Sequence, residues 1–367
     1  MNKFLELAIE GVQHLSPYVP GKPVYELQRE LGLTEIVKLA SNENPLGISE
    51  KVVAAIQGAL SELTRYPDGS GFALKTALSN KLGVSPEQIT LGNGSSEILE
   101  LALRTFVTPA HEVVFSQHAF ALYPLLTQAV GATAKVAAAK DYGHDLAAMR
   151  ALISSKTRLV FIANPNNPTG TLLDYAELEN FIAGLPRQVL CVLDEAYFEF
   201  VDPKLRADTV HWPECYPNLI IARTFSKAYG LAGFRIGYGV SSIDVADLLN
   251  RIRPPFNCNS LALAAAEAAL DDADYLQRSI DLNNAGMLQL TAAFQELGLQ
   301  WIPSFCNFIS VDVRQPGAPL YEALLRKGVI VRPVANYEMP NYLRVSIGTA
   351  KENEIFIAAL KLVLQSV

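Results

Sequence analysis

The chain contains no C-x-x-C pair. Its four cysteines stand alone at Cys191, Cys215, Cys258 and Cys306, and its five histidines are equally scattered. Neither zinc spacing nor a disulfide framework is present, so no metal is expected. Basic residues are also in short supply. Thirty Lys and Arg against 37 Asp and Glu give a net charge of −7, with no long run of either sign, which argues against a nucleic-acid partner. No window approaches the roughly 18 uninterrupted apolar residues of a membrane span. The opening MNKFLELAIEGVQHL carries acids inside its apolar stretch, unlike a secretory signal. A cytoplasmic protein acting on small molecules is expected.

What is there is a folded, apolar-rich chain. Half of its 367 residues are hydrophobic and 18% are charged, a globular balance of two or three domains. Between about residues 89 and 255, short V/I/L runs (ITLG, EVVFS, RLVFIA, QVLCVL, NLIIAR) alternate with helical patterns. Such runs predict a mostly parallel central sheet with helices on both faces, an α/β architecture. From about residue 260 the pattern changes to one or two long helices, short strands (NFISVDV, GVIVRPV, YLRVSIG) and a final helix, predicting a smaller α+β domain. The first 35 residues read as an arm packed on that smaller domain. The division expected is therefore 36–259 for the large domain, with 1–35 and 260–367 forming the arm and small domain.

In open α/β sheets, ligands gather at the carboxyl ends of the strands. RLVFIA runs into NPNNPTG with Asn167, QVLCVL into Asp194-Glu195-Ala196-Tyr197, and NLIIAR into Thr224-Phe225-Ser226-Lys227, followed by Arg235 in a Gly-rich stretch. Each has an ordinary reading as a turn, a helix cap or a solvated lysine. The three in sequence point to a site: an acid at the end of a buried strand calls for a cation, and a lysine there is a candidate amine nucleophile. Upstream, Gly94-Ser95-Ser96 lies between a strand and a helix. Glu97 occupies the third glycine position of a dinucleotide fingerprint, so that match fails. The free N–H groups of this turn still suit a phosphate.

NPNNPTG at 164–170, DEAY at 194–197, TFSKAYGLAGFRIGY at 224–238 and YLRVSIGT at 342–349 resemble the fold-type I pyridoxal-phosphate aminotransferases, most closely their histidinol-phosphate branch. LSPYVPGKP at 15–23, KLASNENPLG at 38–47 and RYPD at 65–68 extend the resemblance over nearly the whole chain. It implies pyridoxal 5'-phosphate as cofactor, held by Lys227 as a Schiff base. Asp194 then pairs with the ring nitrogen, Asn167 and Tyr197 hold the phenolate oxygen, and Phe120 stacks on the ring where many relatives have Tyr. Arg235, Ser226, Thr224 and Gly94-Ser95-Ser96 hold the phosphate. The resemblance further implies that Tyr66 reaches the neighbouring subunit's cofactor, making the protein a homodimer with shared sites. Arg344 binds the α-carboxylate, Arg332 supplies a second guanidinium, and Tyr18 and Asn44 complete the pocket.

The expected reaction exchanges an amino group between histidinol phosphate and 2-oxoglutarate by a ping-pong mechanism, in histidine biosynthesis. An aromatic or broad-specificity aminotransferase and a threonine-phosphate decarboxylase are the alternatives within the superfamily. A non-catalytic regulatory protein on the same scaffold is the alternative outside it. That last reading would ordinarily come with an appended DNA-binding segment and without the Lys and Asp that this chain retains.

Overall fold

The computed structural model describes residues 3–17 and 20–366. Its centre is a seven-stranded sheet of β2 (Ile89–Gly92), β3 (Glu112–Ser116), β4 (Thr133–Ala137), β5 (Thr157–Ala163), β6 (Leu190–Asp194), β7 (Leu219–Thr224) and β8 (Gly237–Ser241), in the order β2-β8-β7-β6-β5-β3-β4. All pairings are parallel except the two made by β8. Successive side chains of a strand point to opposite faces, and both faces here are apolar. Val160, Ile162, Cys191, Leu193 and Ile221 join the core on one side, whereas Leu159, Phe161, Val192 and Ile220 join that on the other. The covering helices begin where a short polar side chain accepts free backbone N–H groups, as at Asp145, Asp174 and Ser242.

The smaller unit is a four-stranded antiparallel sheet of β9 (Gln300–Ile302), β10 (Phe308–Asp312), β12 (Arg332–Pro333) and β13 (Tyr342–Ser346), in the order β12-β13-β10-β9. A two-stranded pair lies beside it, β1 (Val37–Lys38) with β11 (Val329–Ile330). Leu290, Phe294, Val311, Leu343, Val345 and Phe356 form its core, to which Val37 and Leu39 also belong. The helical stretch after residue 260 is two helices, Ser260–Leu270 and Ala273–Glu296, divided where Asp272 caps the second by accepting from Tyr275 N.

Two segments pack differently from expectation. The helix Ser260–Leu270 puts Ala262, Ala265, Ala266 and Ala269 into the core of the large sheet, because its small side chains allow close approach to the helices Glu50–Ala59 and Phe72–Leu82. The N-terminal arm serves both units. Leu27 packs with Leu325 and Ile330 of the small unit, while the turn Glu10–Gln13 lies against the helix Leu122–Ala129 of the large one.

Candidate active site

Register explains why the motifs converge. Ala163, Asp194 and Ala222 are direct neighbours across β5, β6 and β7, so the three strands end along one edge. On the other side Gly92 pairs with Gly237, and Gly237 with Thr224. Because β8 runs antiparallel, its start meets the ends of the other strands and delivers Arg235 to the turn after β2. A Cβ on Gly94, whose φ is +77°, would lie 2.6 Å from Arg235 Nη2. Only glycine allows the guanidinium to sit over this turn.

These ends enclose a cavity of about 200 Å³. Gly94, Ser95, Ser96, Phe120, Asn167, Asp194, Tyr197, Thr224, Ser226, Lys227, Arg235, Arg332 and Arg344 all line it. Two of the expected residues, Asn44 and Tyr66, are not part of this lining. Asn44 spends its amide on Ala228 O (3.0 Å) and Ser279 Oγ (2.7 Å), tying its segment to the backbone just after Lys227. Tyr66 is 82% exposed and stacks on Phe256 with ring centroids 4.7 Å apart. Tyr18 lies outside the described residues.

Asp194 is buried, and burial pushes its carboxyl up to about 6. Two donors oppose that rise: Tyr123 Oη–H to Oδ2 at 2.9 Å and the Ala196 N–H to Oδ1 at 3.2 Å. Burial, followed by the charge of Arg344, lowers the Lys227 amine to about 8. Its Nζ donates to Ser41 O at 3.2 Å, and among the described residues no acid is within ion-pair distance of it. The Tyr197 hydroxyl accepts from Asn42 Nδ2 at 2.8 Å.

Arg344 is 7% exposed. It donates from Nη1 to Asn167 Oδ1 (2.6 Å) and from Nη2 to Ala40 O (2.8 Å), while its buried Nε has no partner. Among the described residues no carboxylate pairs with it. Arg344 also sits directly opposite Arg332 in the β12–β13 register. Like charges facing each other across strands are unfavourable, and an anion between them relieves the repulsion.

Sequence reasoning missed Tyr123, Asn42 and the Ser41 carbonyl. Asn42 holds a left-handed backbone (φ 55°) and exchanges hydrogen bonds with Ser346 and Asn307 as well as Tyr197. Its place inside KLASNENPLG was the available signal. Among the described residues no group of three or more His, Cys, Asp and Glu is disposed to hold a metal. No helix among them is long and apolar enough to cross a membrane.

The family model of class I and II aminotransferases matches residues 34–360. Histidinol-phosphate aminotransferase 1 of Nitrosococcus oceani is 60% identical over 362 residues, covering 99% of this chain and 98% of that protein. Histidinol-phosphate aminotransferase 2 of Pseudomonas aeruginosa is 58% identical over 366 residues and 99% of both. Among solved structures, the histidinol-phosphate aminotransferase of Sinorhizobium meliloti in complex with pyridoxal-5'-phosphate superposes with a TM-score of 0.90 at 31% identity, over 97% of each chain.

Proposed function

This chain belongs to the class I and II aminotransferases, and we propose that it transfers the amino group of histidinol phosphate to 2-oxoglutarate, giving imidazole acetol phosphate and glutamate in histidine biosynthesis. The relatives at 58–60% identity act under that name over nearly their full length. Its cofactor is pyridoxal 5'-phosphate, and the donor set fits that group. Backbone N–H groups, four hydroxyls and Arg235 gather at the glycine-opened turn, as a phosphate requires. A buried carboxylate, Asp194, the one acid lining the same cavity among the described residues, stands where a protonated ring nitrogen requires it.

In this reading Gly94, Ser95, Ser96, Thr224, Ser226 and Arg235 hold the phosphate, Phe120 covers the ring, and Asn167 and Tyr197 bond its phenolate oxygen. When bound, the cofactor supplies an electron sink for a carbanion next to nitrogen. Lys227 is the covalent anchor and the proton carrier. With its amine lowered to about 8, a useful fraction is neutral near neutral pH and can take the proton from the carbon bearing the substrate's amino group. Nζ would then deliver that proton two atoms away, beyond the intervening nitrogen, and the same amine would serve in reverse with the oxo acid. Asp194 keeps a fixed negative charge opposite the ring nitrogen throughout.

One observation carries the substrate reading: Arg344 is buried, with no carboxylate paired to it among the described residues, and faces Arg332 across the strands in the cavity that holds Lys227. Two guanidiniums suit the phosphate of one substrate and the carboxylates of the other in turn. Asn44 acts through Ala228, by fixing the backbone beside Lys227. The large domain is taken to extend through Leu270, with the small domain formed by 271–367 and part of the N-terminal segment. A cytoplasmic homodimer is part of the same reading, with Tyr66 lent to the neighbouring subunit's phosphate. It is supported by the exposure of Leu60, Leu63, Tyr66 and Phe72 along one stretch.

The test is half-reaction spectroscopy on the purified holoenzyme with histidinol phosphate, phenylalanine and threonine phosphate. Histidinol phosphate is expected to convert the cofactor's absorbance fastest, with imidazole acetol phosphate released. Equal conversion by phenylalanine would broaden the specificity, and CO₂ release from threonine phosphate would replace the reading by a decarboxylase.

A further inference from the structure

Phe120 stands two residues before the helix Leu122–Ala129, and the turn that opens the helix is closed by the Tyr123 N–H donating to Phe120 O at 2.9 Å, which brings residues three apart to one side. Phe120 and Tyr123 therefore enter the site together, with their rings edge to face at 5.9 Å. Phe120 lines the cavity. Tyr123 lies behind it, fully buried, and its ring is stacked on Phe161 of β5 at 4.5 Å with only 5° between the planes. That stacking leaves the hydroxyl little freedom, and it points at Asp194 Oδ2 from 2.9 Å.

We propose that Tyr123 is a positioning residue for the reaction: its hydroxyl holds the Asp194 carboxyl in place and keeps it ionised, so that one helical turn supplies both the ring's stacking partner and the donor that sets its counter-charge. A buried carboxyl without donors takes up a proton. Among the described residues Asp194 has two donors, and Tyr123 is the one from a side chain. The other titratable groups around the carboxyl, among the described residues, are Lys227 and Glu195, with Tyr197 near enough to feel its charge. Lys227 opposes protonation, whereas Glu195 promotes it. Cys191, in the strand that ends in Asp194, also acts on Tyr123. Without the hydroxyl, burial and Glu195 are left opposed only by the Ala196 N–H and Lys227.

The proposal rests on the reading that Asp194 faces the cofactor nitrogen, and two readouts on the full-length holoenzyme separate them. One is the pH dependence of the cofactor dissociation constant, and the other is the pH profile of kcat/KM. Tyr123→Phe keeps the ring and its stacking, and is expected to move the acid limb of both upward by about one pH unit. The glutamate KM at the alkaline plateau should stay unchanged. Incorporation of 3-fluorotyrosine at 123, a more acidic donor of nearly the same shape, should move both limbs the other way. Phe161→Leu loosens the stacking but keeps the hydroxyl, and should lower the melting temperature while moving both limbs much less than Tyr123→Phe does. If Tyr123→Phe behaves like Phe161→Leu, the hydroxyl is structural and the proposal is overturned. If the limb of cofactor binding moves and that of turnover does not, the Tyr123–Asp194 link stands and the catalytic role of Asp194 falls.

Discussion

Two acids stand side by side at the end of β6 and live on opposite faces of the sheet. Asp194 turns toward the helix Leu122–Ala129 and the cavity. Glu195 turns to the other side, where Arg223 meets it at 2.8 Å and the Thr209 hydroxyl sits within 2.8 Å of both its oxygens. The guanidinium of Arg223 in turn lies 3.7 Å over the ring of Phe198. Both carboxyls are buried, and burial raises both. They differ in how the cost is met. Glu195 has its cation built into the chain, whereas Asp194 has neutral donors and, among the described residues, no cation within ion-pair distance. At equal depth, completeness marks a structural acid, and a missing cation marks one whose partner arrives from outside.

That contrast can be broken from either side. Arg223→Ala should have the largest effect, about 3–5 kcal/mol of lost stability, because it leaves the buried Glu195 without its cation. Denaturant unfolding would measure this, while the folded fraction should keep its kcat within a few-fold; a large selective loss of kcat would merge the two acids into one functional unit. Asp194→Ala should do the reverse, cutting kcat about 100-fold or more, which is about 3 kcal/mol of barrier, with the protein still folded. Steady-state kinetics at saturating cofactor would show it, and near-normal turnover would make Asp194 as structural as its neighbour.

The smallest effect concerns pH. A carboxyl at about 6 in the fold and near its ordinary value when unfolded makes the folded state bind more protons between about pH 4 and 6. Cofactor-free protein should therefore lose stability as pH rises through that window. Asp194→Asn should remove about 2–3 kcal/mol of the loss. Urea titrations at pH 4.5 and 7 would read this difference, and an unchanged slope would assign the pH dependence to Glu195 and Glu199 instead.

Much of this site was legible because its residues follow strands. A buried parallel strand announces itself by composition, and register then places Asn167, Asp194, Thr224 and Lys227 at one edge whatever the loops do. Residues acting across the fold gave no comparable signal. Tyr123 reads as one more apolar-face aromatic in FALYPLL until β5 and β6 are laid beside it. Asn42 and Asn44 sit two apart in one motif, yet one bonds Tyr197 and the other a backbone carbonyl. The helix Ser260–Leu270 is almost all small and apolar, so its composition marks it as buried without saying in which core. Tyr66 is exposed in a single subunit, and only the resemblance gave it a role.

The reversed strand β8 has a consequence in time. It pairs with β2, made from residues near the start of the large sheet, and with β7 just before it. Gly94 and Arg235, the two halves of the proposed phosphate cradle, are therefore among the last neighbours that the growing seven-stranded sheet can bring together. Closing such a long loop is slow relative to local pairing. The strands carrying Asp194 and Asn167 can assemble earlier, so the cradle's completion reports that the whole sheet is in register. A phosphate bound there by both halves favours finished molecules over partly folded ones by mass action.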